Sequence, residues 1–183
     1  GTIGIMLCLN GMGHPYLGMF FLLFSGLCDT FDGKVARTKK DRTPQMKKFG
    51  IQIDSLSDLI AFGILPACIG IAMLRYIMYI PDLSGFTKYI LTYYNLQAQI
   101  VLTAIAVLYV LAAMIRLAYF NVTEEQRQAH SSSRRKHYQG LPITSVALII
   151  PIVYQLRRFF PEEFPYIYVA MLAVIAFLFV FDF

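Results

Sequence analysis

Charge is scarce in this chain: 15% of its 183 residues are Asp, Glu, Lys or Arg, against 57% hydrophobic. A water-exposed domain of this length needs far more polar surface, so the composition describes a membrane protein. Cysteine is sparse as well. Cys8, Cys28 and Cys68 form no Cys-x-x-Cys pair, are odd in number, and lie in or beside apolar runs. That supports neither a disulfide framework nor a zinc site and points to small buried side chains. Histidine gives no metal-binding spacing either. His14 falls in a short loop, while His130 and His137 fall in a polar, Ser-rich connection, and all three are expected to be solvated. Internal repeats and low-complexity tracts are absent. So is a charged segment ahead of the first apolar stretch: the chain opens on Gly1, and we expect a trimmed N-terminus rather than a signal peptide.

What remains is apolar and long. Crossing a hydrocarbon core of about 30 Å takes about 20 apolar residues. The expected fold is therefore all-α: an integral membrane helical bundle of about six spans, the first partial, making one domain over 1–183. Residues 1–10 read as the tail of the first span, and the second runs from about Tyr16 to beyond Arg37. The third runs from Gly50 to about Tyr79, the fourth from about Leu96 to Phe120, the fifth from near Leu141 to near Phe159, and the sixth from Phe164 onward. Lys39, Lys40, Arg42, Lys47 and Lys48 separate the second span from the third, and Arg127, Arg134, Arg135 and Lys136 separate the fourth from the fifth. The excess of Lys and Arg predicts that both loops face the cytoplasm, where they suit anionic lipids. Arg157 and Arg158 lie toward the other face, partly offset by Glu162 and Glu163. With basic charge confined to membrane loops, a nucleic-acid partner is disfavoured.

Four acids break this pattern. Asp29, Asp32, Asp54 and Asp58 sit on the flanks of apolar spans, where each carboxylate costs about 2.5–3.5 kcal/mol on insertion scales and marks a functional site by default. At about 100° per residue, Asp29, Asp32, Gly33 and Ala36 share one helical stripe, and Gly50, Asp54 and Asp58 share another. Facing stripes of acids and small residues describe a metal site with room beside it. Hard cations such as Mg²⁺ or Mn²⁺, two of them clamping a phosphate, suit an all-carboxylate ligand set. Gly33, Ala36 and Gly50 let a nucleotide approach helix backbone, and Arg37 offers a planar fork for phosphate.

The run Asp29-x-x-Asp32-Gly33-x-x-Ala36-Arg37, then twelve residues, then Gly50-x-x-x-Asp54-x-x-x-Asp58 resembles the signature of the CDP-alcohol phosphotransferase family. Eight positions match, and the departure is a longer gap between Arg37 and Gly50 than the usual pattern has. The resemblance implies an enzyme that joins an alcohol to the phosphatidyl group of a CDP-linked donor and releases CMP. It further implies that Asp29, Asp32 and Asp54 ligate metal and that Asp58 shares a metal while serving as general base. The same resemblance implies that Asp29, Gly33, Ala36, Arg37 and Gly50 face the CDP moiety and that the protein is a homodimer.

Further stretches resemble the phosphatidylserine synthase branch of that family. They are Asp54-Ser55-Leu56-Ser57-Asp58 with Phe62 to Ala67, Arg116 to Asn121 with a departure at Tyr119, and Gly140 to Thr144 with a departure at Thr144. The resemblance implies CDP-diacylglycerol and L-serine as substrates, at a site facing the cytoplasm of the cell membrane, with the donor's diacyl or archaeal ether form left open. Arg116 can take the serine carboxylate, although its place at a span end also allows snorkelling to headgroups. Asn121, Ser55 and Ser57 are neutral candidates for the acceptor, each Ser having a helix-backbone bond as its plainer role. A sibling transferase using glycerol 3-phosphate or an inositol phosphate needs more cations facing the aspartates than Arg116. A divalent-cation transporter is the alternative from another class, but it places polar groups through the midplane, whereas these acids crowd one face.

Overall fold

The computed structural model describes residues 1–10, 14–38, 43–78, 85–130, 141–160 and 164–181. Regular structure among them is helical throughout: α1 (Thr2–Leu9), α2 (Pro15–Thr38), α3 (Pro44–Asp58), a π-helical turn (Leu59–Ile64), α4 (Leu65–Met78), α5 (Gly85–His130), a 3₁₀ turn (Ile143–Ser145), α6 (Val146–Tyr154), a second 3₁₀ turn (Gln155–Arg158) and α7 (Phe164–Val180). α4 is the central post, packed against α1, α2, α5 and α7. Small residues bring its neighbours close. A Cβ at Gly18 would lie 2.5 Å from Cys8 Sγ, and one at Gly26 2.6 Å from the Ala147 Cβ, so α2 meets α1 and α6 at glycine. Leu65, Ile69 and Ala72 of α4 are completely buried.

Much of the outside of the bundle is apolar. Ile100, Leu108 and Ile115 on α5 and Tyr166, Val174 and Phe177 on α7 are each more than half exposed. A helix apolar all round suits lipid, where its outer face meets hydrocarbon. Two stretches, Gln45–Met73 and Gln99–Glu125, are long and apolar enough to cross a membrane, and Phe164–Val180 is apolar but shorter.

Several sequence boundaries move. Thr43 caps α3, accepting from the Met46 N–H at 3.3 Å, and Pro44 occupies its first turn. The third helix therefore begins before Gly50, and Lys47 and Lys48 ride on it instead of in a loop. α5 likewise starts at Gly85 rather than Leu96, and takes in Arg127 and His130. A helix that outruns the bilayer has no need of apolar residues at its ends, so hydropathy misses them. The fifth expected span is a short helix between two 3₁₀ turns, with Pro151 inside it. Cys8 and Cys68 are buried as expected, but Cys28 is exposed on α2. Lys39, Lys40, Arg42, Tyr79, Arg134, Arg135, Lys136, His137, Glu162 and Glu163 lie outside the described residues.

The π-helical turn has an identifiable cause. Pro66 has no N–H to offer the Phe62 carbonyl one turn earlier, so an α-helical bond is missing there. The backbone widens instead, with the Leu65 N–H reaching back to the Ile60 carbonyl. The Phe62 carbonyl accepts a hydrogen bond from the buried Tyr109 hydroxyl at 2.6 Å, and the Pro66 carbonyl one from Tyr168 at 2.8 Å. Tyr109→Phe is expected to destabilise the bundle by about 1–2 kcal/mol, since it leaves a buried carbonyl without its partner. Reversible unfolding in mixed micelles measures it.

Candidate active site

Two helices bring three acids together. Asp29 and Asp32 project from one stripe of α2, and Asp54 comes across from α3; one carboxylate oxygen from each lies within 4.8 Å of the others. Asp29 is partly buried, and Asp32 and Asp54 are exposed. Three anions this close repel strongly where solvent is thin. A hard divalent cation removes the repulsion and takes carboxylate oxygens as its natural ligands, so the donor set fits Mg²⁺ or Mn²⁺.

Asp58 stands outside that trio. It is one turn beyond Asp54, the last α-helical residue before the π-helical turn, and its side chain lines a cavity of about 320 Å³. Arg116, Leu117 and Phe120 of α5 form a second wall, and Pro142, Ile143 and Thr144 a third. Arg116 is only 7% exposed, and its Nε donates to the Leu141 carbonyl at 3.2 Å. Snorkelling to headgroups is therefore not its role. An ionised side chain buried within a long apolar helix marks a candidate functional site.

Other expected residues fall in different places. The Asn121 side-chain amide donates to Ser55 Oγ at 2.7 Å, clasping α5 to α3, and neither residue lines the cavity. Ser57 is exposed. Gly33, Ala36 and Arg37 belong to the last turns of α2, and the side chains at 36 and 37 lie outside the described residues. Gly50 is informative: a Cβ there would meet nothing within 4 Å, in contrast to the packing glycines Gly18 and Gly26. Helix packing does not explain a glycine at 50, and open space one turn before Asp54 suits a ligand. Gly50→Leu is expected to hold or raise the melting temperature, Leu being the better helix former, and to weaken CDP-lipid binding about tenfold or more through lost close approach. Equilibrium binding to a CDP-lipid checks it. Tyr109 belongs to no motif, whereas Phe120 and Ile143 of the cavity wall lie within the two stretches Arg116 to Asn121 and Gly140 to Thr144. Pro66 inside a span was the signal that an orphan carbonyl needed a partner.

Several named proteins are similar to this chain. The chain is 33% identical over 165 residues to the CDP-diacylglycerol–serine O-phosphatidyltransferase of Saccharomyces cerevisiae, covering 86% of this chain and 50% of that protein. It is 28% identical over 149 residues to the protein of the same name from Helicobacter pylori, covering 81% and 50%. It is 30% identical over 162 residues to the archaetidylserine synthase of Methanothermobacter thermautotrophicus, covering 88% and 55%. The chain thus spans about half the length of the curated relatives it matches. No solved structure matches it. The model of the CDP-alcohol phosphatidyltransferase family matches residues 2–182, a stretch that includes the four acids, Gly50 and Arg116, and the chain belongs to that family.

Proposed function

We propose that this protein transfers the phosphatidyl group of a CDP-linked lipid to L-serine, forming phosphatidylserine and releasing CMP. The observation that carries it is the position of Asp58, beside the carboxylate trio and in the wall of the cavity that holds Arg116. The serine carboxylate lies on the Arg116 guanidinium, which leaves the serine hydroxyl toward Asp58. Asp58 takes the hydroxyl proton as the oxygen bonds to the phosphorus bearing the lipid, and the bond from that phosphorus to the CMP oxygen breaks. Asp29, Asp32 and Asp54 would hold one or two Mg²⁺ or Mn²⁺ ions, which when bound neutralise the diphosphate and the departing CMP. Gly33, Ala36 and Gly50 give the nucleotide access to helix backbone, and Arg37 binds its phosphate. The relatives' names agree on serine and differ on the lipid, so the acceptor is the better supported half.

The proposal includes about six spans in the cell membrane, the site facing the cytoplasm, and a homodimer. The test is product formation by the reconstituted protein from CDP-diacylglycerol with serine, glycerol 3-phosphate or an inositol phosphate supplied in turn. Phosphatidylserine from serine alone supports the proposal, and a preference for either phosphorylated acceptor overturns it. Arg116→Gln is expected to raise the KM for serine about tenfold or more with donor affinity unchanged, since a charge-assisted pair to the carboxylate is lost. Steady-state kinetics with each substrate varied separately checks this.

A further inference from the structure

At the end of the bundle away from the aspartates, α2 and the turn after α6 part to leave an open groove of about 470 Å³. Tyr16 in its wall precedes Asp29 by thirteen residues of one helix, about 20 Å at about 1.5 Å per residue, so the groove and the acids lie near opposite membrane faces. One end of the groove is cationic. Arg157 donates from its guanidinium to the Tyr154 hydroxyl at 2.8 Å and sits 4.9 Å from the centre of the Tyr16 ring, and these rings meet edge-on at 5.4 Å. Arg158 follows, exposed, in the same wall. The other end is apolar, formed by Met19, Phe20 and Leu23 of α2 with Pro151 of α6.

A planar cation held against tyrosine rings, with an apolar trough running from it into the bilayer, matches a phosphodiester headgroup joined to an acyl chain. We propose that this groove binds one anionic phospholipid of the leaflet facing away from the aspartates, its phosphate on Arg157 and Arg158 and a chain along Phe20 and Leu23. The site takes part in no transfer step, so it stands or falls separately from the transferase proposal.

The test counts lipids on the purified protein by native mass spectrometry, with dioleoylphosphatidylglycerol, dioleoylglycerol or inorganic phosphate as the probe. Phosphatidylglycerol is expected to bind about tenfold or more tightly than either of the others, since only it satisfies both ends of the groove. The double variant Arg157→Gln with Arg158→Gln should lose that margin. Leu23→Trp, which fills the trough and keeps both arginines, should lose it too, and decides alone if the double variant does not fold. Wild-type affinity for phosphatidylglycerol in Leu23→Trp or in the folded double variant overturns the proposal. So does equal binding of dioleoylglycerol or of inorganic phosphate.

Discussion

Asp58→Asn is expected to lower turnover about 10²- to 10⁴-fold while leaving CDP-lipid and metal binding in place. A serine hydroxyl is a weak nucleophile at neutral pH, and Asp58 is the carboxylate that lines the cavity with Arg116. Asn keeps the size and loses the ability to accept the proton. Because Asp58 lies outside the trio of convergent acids, its loss should act on the rate and spare the donor. Donor binding paired with single-turnover CMP release separates the two effects, and near-normal turnover removes Asp58 as the base.

Asp29→Asn, Asp32→Asn and Asp54→Asn form the second large expectation. Each should raise the Mg²⁺ or Mn²⁺ concentration needed for half-maximal activity by at least the roughly 10- to 100-fold that losing an outer partner of a ligand produces, or abolish activity outright. The fold should survive, since each substitution relieves repulsion among acids less than 4.8 Å apart. A melting curve without metal, expected to shift upward or stay level, accompanies the metal titration. Unchanged metal dependence in all three variants contradicts a shared cation.

The parts of the site legible in the sequence are those fixed by helical period. Asp29 and Asp32 share a stripe because α2 is regular, and Asp54 and Asp58 are one turn apart because α3 stays α-helical up to Asp58. The long apolar runs announced a helical bundle for the same reason. What escaped depends on packing between distant segments. The Ser55–Asn121 bond joins residues 66 apart, and no local pattern encodes it. The π-helical turn follows from Pro66 together with Tyr109, which reaches it from another helix. Arg116 showed its charge in the sequence but not its burial, which the approach of Leu141 decides.

We propose direct transfer, in which the serine oxygen attacks while the donor is intact, with no lipid-bearing protein between. Rapid-quench measurement of CMP release from CDP-diacylglycerol, with serine withheld and then supplied, tests it most directly. CMP is expected to appear only with serine and in step with phosphatidylserine. A burst of CMP without serine, accompanied by lipid linked covalently to the chain, would contradict it.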